Sequence, residues 1–133
     1  MIIDISKIDP HNRYKLMIGA IVPRPIAWVS TLNGDGTFNL APFSYFTAVC
    51  TNPMTLLFCP QYYPDGRKKD TWGNIERLPE FVINITNEAT KEPMNLTATT
   101  LPPGQSEFEC AGVTPVASET ISVPRVAEAP ISF

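Results

Sequence analysis

The chain has a single histidine, His11, and three cysteines, Cys50, Cys59 and Cys110, none in a CxxC pair. Structural zinc sites gather Cys and His in close pairs, so this supply argues against one. An odd cysteine count points to free thiols, and Asp4, Lys7 and Asp9 interrupt any signal-peptide apolar region. The expected location is the cytoplasm. No apolar run approaches the roughly 20 residues that a membrane helix needs. Lys and Arg total 10 against 13 Asp and Glu, and Arg67-Lys68-Lys69 is the one basic cluster. That balance excludes the basic face expected of a nucleic-acid module. The GxGxxG, P-loop and GxSxG patterns are missing too, so a Rossmann nucleotide site or a serine hydrolase of the familiar kind has no support.

What the chain does have is proline. Fourteen in 133 residues is about twice average usage, scattered in a way that suggests many short elements and stiff turns. Hydrophobic residues at 44% and charged residues at 17% fit one globular domain. Asp9-Pro10 opens a helix, with Asp as N-cap and Pro at its first position, ending near Gly19. Residues 26–31 read as a strand. Asn33-Gly34-Asp35-Gly36 is the clearest hairpin signal, with a return strand over 37–41. Pro42 ends, bulges or edges that strand, and residues 43–49 resume it. Residues 54–59 are a continuous apolar run, consistent with a buried strand. Asp70 is expected to cap a short helix over 71–77. Residues 81–85 form the next strand, and 88–99 a second helical candidate with Pro93 near its start. Residues 101–105 read as a loop, followed by short extended pieces near Val113, 121–123 and 131–133. Short strands with minor helices point to a mainly β fold, a small barrel or closed sheet.

Chemistry concentrates in two places. Residues 23–53 combine apolar density, turn chemistry and accessible polar groups. Within them Asn39-Leu40-Ala41-Pro42-Phe43-Ser44-Tyr45-Phe46, with Ser30 and Thr31, offer small residues, backbone N–H groups and hydroxyls to a planar ligand. On residue chemistry alone, a kinked barrel strand with an aromatic core is the simpler account. The second place is Arg67-Lys68-Lys69-Asp70-Thr71, a basic loop feeding a helix N-terminus. Free N–H groups and the positive dipole end suit a terminal phosphate there; a solvated loop and a capped helix explain it equally.

Taken together these residues resemble a known family. Pro23-Arg24-Pro25-Ile26-Ala27-Trp28-Val29-Ser30-Thr31, the hairpin, the Asn39 to Phe46 segment, Asn52-Pro53 and Lys69-Asp70-Thr71 are similar to the flavin reductase-like, FMN-binding split-barrel family. Phe81-Val82-Ile83-Asn84-Ile85, Met94-Asn95, Glu107-Phe108, Ala111-Gly112-Val113-Thr114-Pro115 and residues 124–130 match its flavoredoxin-like branch. The resemblance implies a split β-barrel with short peripheral helices, a homodimer, and FMN bound non-covalently near the dimer interface. It places Ser30, Thr31, Pro42, Phe43, Ser44, Tyr45 and Phe46 along the flavin ring and ribityl chain. Cys50 and Thr51 fall near the ring or phosphate. Lys69, Asp70 and Thr71 fall by the phosphate, with Arg67 or Lys68 adding charge and Arg24 a further contact. Family members usually continue past residue 133, so the chain is expected to lack a C-terminal segment.

The activity so implied is hydride transfer from NAD(P)H to flavin, with a second flavin or a redox protein as acceptor. The alternative is a flavoredoxin-like FMN electron carrier without its own NAD(P)H activity. No catalytic side chain, metal, nucleic-acid or membrane partner is expected.

Overall fold

The computed structural model describes residues 2–102 and 105–133. Its centre is a four-stranded antiparallel sheet in the order β2-β1-β5-β8, with β1 at Ala27–Leu32, β2 at Phe38–Phe43, β5 at Val82–Ile85 and β8 at Ile131–Ser132. The β1–β2 turn forms where the sequence places it. Gly36 takes φ +87, a left-handed value that glycine adopts without penalty. Asp35 Oδ1 accepts from the Thr37 N–H, and Asn33 N–H donates to the Thr37 carbonyl. The register then sets Thr31 opposite Asn39 and Ala27 opposite Phe43.

Pro42 lies inside β2, opposite Trp28, rather than ending the strand. β2 is an edge strand, and Leu40 N–H points away from β1 to the Glu107 carboxylate. Two residues on, the Pro42 nitrogen faces the same outer side, where no ladder bond is lost. The edge is closed from outside by a helix that the sequence did not announce, α4 at Glu107–Ala111. Ser106 Oγ donates to the Phe38 carbonyl beside it.

Alternation along β1 buries both faces of the sheet. Trp28 and Leu40 pack with Phe108, Val113 and Val126 on one side. Ala27, Val29, Phe43 and Ile83 pack with Phe46, Leu56 and Phe58 on the other. The second side is covered by a separate hairpin, β3 (Phe46–Thr51) and β4 (Met54–Phe58), bulged between Ala48 and Cys50. Here the expectation of a buried strand over 54–59 is corrected. Met54 is 71% and Leu57 50% exposed. A continuous apolar run implies cover on both faces, and this hairpin has cover on one.

The first helix, α1 (Pro10–Ala20), begins as expected, with Asp9 accepting from the Asn12 N–H. It runs one residue past Gly19 and buries none of its residues. The helix α2 spans Asp70–Arg77. Within the 88–99 candidate only α3, Lys91–Leu96, is helical, with Pro93 in its first turn. A small ribbon pairs β6 (Pro115–Val116) with β7 (Arg125–Val126); residues 121–123 form bends instead of a strand. The expected loop at 101–105 falls partly on Pro103 and Gly104, outside the described residues.

The indole of Trp28 is fully buried and donates from Nε1 to Thr97 Oγ1 at 2.8 Å. Trp28→Phe removes that bond and part of the core volume. It should lower unfolding free energy by about 2 kcal/mol in a denaturant titration.

Candidate functional site

At the outer end of β2, two clefts meet. The first, about 130 Å³, lies between Asn39, Ala41, Pro42 and Phe43 of β2, Lys69, Asp70 and Thr71 at the start of α2, and the 97–101 segment, with Tyr63 and Glu107 at its sides. The second, about 160 Å³, continues past Pro42 and Phe43 to Ser44, Tyr45, Cys59, Gln61 and Tyr14. Pro42, Phe43 and Lys69 border both.

The start of α2 differs from the expectation in one consequential way. The N-cap is Lys69, not Asp70, and no side chain caps the helix. Trp72 and Gly73 N–H groups bond the Lys69 carbonyl, whereas the Asp70 and Thr71 N–H groups make no hydrogen bond among the described residues. Two helix-dipole donors thus remain at the edge of the cleft. Lys69 Nζ lies 5.7 Å from the ring centroids of both Phe43 and Tyr63 and forms no ion pair among the described residues. The neighbouring cations are committed elsewhere: Arg67 pairs with Asp65 and Lys68 with Glu76. Neither borders the cleft.

Behind this rim is a buried polar layer. Asn39 Nδ2 donates to Thr71 Oγ1 at 3.0 Å and to Thr31 Oγ1 at 3.1 Å. Asn74 Nδ2 donates to the same Thr31 oxygen at 3.0 Å and to Asn33 Oδ1 at 2.7 Å. The layer ties α2 to both strands of the hairpin and fixes where the helix begins. Asn74 sits three residues after Thr71, so both share a helix face; that spacing was the available signal for a residue the sequence reading passed over. Glu107 had no such signal, because its partner Leu40 is 67 residues away in sequence.

The structure sorts the expected site residues into five groups. Pro42, Phe43, Ser44, Tyr45, Lys69, Asp70 and Thr71 line the joined clefts. Phe46 packs into the core beside them. Ser30 and Thr31 are fully buried behind the clefts: the Ser30 hydroxyl donates to the Pro124 carbonyl, and Thr31 is the hub of the Asn layer. Cys50 and Thr51 stand on the exposed end of the β3–β4 hairpin, where Cys50 Sγ lies 3.3 Å from the Asn52 carbonyl. Arg24 holds the end of α1 instead, donating to the Ile18 and Ile21 carbonyls. The segment joining β2 to β3 leaves Ser44 and Tyr45 N–H groups without a hydrogen bond among the described residues. The Tyr45 hydroxyl is likewise buried without a partner there.

A sheet edge thus presents backbone donors beside a helix start that no side chain caps. Residues 18–133 match the flavin reductase like domain. The chain belongs to that family. Nitrilotriacetate monooxygenase component B from Bacillus cereus is 41% identical, with a TM-score of 0.94 over 99% of this chain and 65% of its own. The 2-nitrobenzoate 2-nitroreductase of Pseudomonas fluorescens is 34% identical, with a TM-score of 0.86 over 100% of this chain and 63% of its own. A split barrel domain from Shewanella frigidimarina shares the fold at 22% identity, TM-score 0.78, over 96% and 62% of the two chains. The fold is therefore the split barrel of the flavin reductase-like family. The chain spans 59% to 66% of the length of the first four curated relatives it matches. No described helix is long and apolar enough to cross a membrane.

Proposed function

We propose that the chain binds FMN non-covalently in the joined clefts and serves as an NAD(P)H:flavin oxidoreductase. The observation that carries this reading is the start of α2. Its Asp70 and Thr71 N–H groups and the Lys69 ammonium, unpaired among the described residues, converge on one cleft edge, in a chain of the flavin reductase-like family. That donor set suits a terminal phosphate. The free Ser44 and Tyr45 N–H groups, next along the same edge, suit the carbonyl and ring-nitrogen acceptors of a flavin. Phe43 supplies an apolar wall between the two. Asn39 holds the Thr71 hydroxyl, and through it the helix start, in place.

Lys69, Asp70, Thr71, Ser44 and Tyr45 would hold FMN, which would supply hydride acceptance from NAD(P)H and electron transfer to a second flavin or a redox protein. The chain's own contribution is to hold, orient and partly cover it; no side chain is assigned as acid or base. A homodimer is part of the proposal, supported by the exposed Val49, Met54 and Leu57 of the β3–β4 hairpin and by an apolar groove of about 540 Å³ between β4 and α2. The three exposed free thiols suit a reducing cytoplasm.

The test is direct. The purified protein should bind FMN with quenching of flavin fluorescence, and anaerobic NADH or NADPH should bleach the bound flavin. Binding without bleaching by either nucleotide, but with reduction by dithionite, would leave the flavoredoxin-like carrier instead. A protein that does not quench FMN at all sinks both.

A further inference from the structure

The cleft proposed for the phosphate contains a residue that opposes it. Glu107 stands at the start of α4 and is half-buried against the β2 edge, where its Oε2 accepts from the Leu40 N–H at 3.2 Å. The same carboxylate lines the roughly 130 Å³ cleft that Lys69, Asp70 and Thr71 border. Asp70, on the same lining, stands near enough to Glu107 to push its carboxyl upward. The cleft thus carries two carboxylates against one ammonium, an unusual balance for a site of anions.

We propose that Glu107 sets the cleft's preference among flavins. As a carboxylate it disfavours a phosphate at the start of α2, and phosphate binding draws a proton onto it. This rests on the phosphate standing at Lys69, Asp70 and Thr71. The charges around Glu107 favour such a response. Asp70 of α2 faces it across the cleft with Lys69 and Tyr63, β2 has no titratable side chain, and α4 itself adds exposed Glu109 and the exposed thiol Cys110. On the neighbouring α3, Lys91 is paired with Glu88, and Glu92 is exposed. Burial, with a smaller push from Asp70, holds the Glu107 carboxyl above its ordinary range, while its own and the Leu40 N–H groups pull the other way. The sign follows: as pH rises through that raised value the carboxylate forms, and affinity for a phosphorylated flavin falls. Riboflavin, which has no phosphate, should feel little of this.

Glu107→Gln tests the proposal, because the amide oxygen still accepts the Leu40 N–H. FMN and riboflavin are titrated against both proteins by fluorescence at pH 5.5 and pH 8, in low salt. At pH 8 the variant should prefer FMN over riboflavin about tenfold more than the parent does. The difference between the two proteins should shrink as pH falls from 8 to 5.5. The phosphate's own titration is common to both proteins and drops out of the comparison. Calorimetry of both proteins at pH 6.5, in buffers of different ionisation enthalpy, should show more proton uptake with FMN by the parent than by the variant, and no difference between them with riboflavin. Unchanged FMN preference in the variant at pH 8, or equal proton uptake by parent and variant, overturns the role of Glu107 while FMN binding stands. Failure of the parent to prefer FMN to riboflavin at either pH overturns the phosphate placement and this inference together.

Discussion

Asn84→Ala should lower the unfolding free energy by about 3–4 kcal/mol, the largest effect expected from one polar substitution in this chain. Asn84 is fully buried in β5. Its Nδ2 donates to the Trp28 carbonyl at 3.0 Å and to Ser30 Oγ at 3.3 Å. Its Oδ1 accepts from Val126 N–H and from Ser132 Oγ, each at 2.9 Å. One side chain thus joins β1, β5, β7 and β8. Truncation leaves the Trp28 carbonyl and the Val126 N–H buried without this partner, and an unmet buried group costs its full desolvation. Asn84→Asp should also destabilise the protein, because an acid presents no second donor to Ser30 and its charge would sit unpaired in the interior. Urea unfolding followed by tryptophan fluorescence measures both. A loss under about 1 kcal/mol for Asn84→Ala would show that the four bonds do not act as a unit.

Lys69→Ala should weaken FMN binding by about 30-fold, equivalent to about 2 kcal/mol, while riboflavin changes by no more than about threefold. Among the described residues the ammonium is the one cation bordering the first cleft, and it lies over both Phe43 and Tyr63. Its charge is therefore already positioned before any ligand arrives. The residual riboflavin effect reflects contact with the Phe43 face. Lys69→Arg should recover part of the FMN affinity, since the charge remains but the planar fork needs more room between two rings. Salt should weaken FMN in the parent more than in the alanine variant. Equal losses for FMN and riboflavin would place the phosphate elsewhere. Thr71→Ala is the less clean test, because it also strips a partner from Asn39 in the buried layer.

The readable parts of this protein are local ones. Asp9-Pro10 and Asn33-Gly34-Asp35-Gly36 act through bonds between residues at most four apart, so their residue types declare the structure. The apolar run at 54–59 misled because composition registers a wish for burial and not the presence of cover. The hydroxyls of Ser30 and Thr31 misled differently. Their place on a strand is evident from sequence, but both are spoken for by Pro124, Asn39 and Asn74, contacts that exist only after folding.

From sequence alone came the hairpin and its turn, the short elements, the split-barrel resemblance, and the segments that border the clefts. The hairpin and the short elements rest on turn geometry, side-chain period and capping, all short-range, whereas the split barrel rests on resemblance to a known family. Tertiary structure decided which of the candidate residues face the clefts, that Lys69 stands at the N-cap position of α2 while Asp70 and Thr71 keep N–H groups free among the described residues, and that Glu107 stands in the same space. Each of those outcomes depends on pairing an edge strand with elements tens of residues away. Such pairing is set by packing of the whole sheet, and no local pattern encodes it.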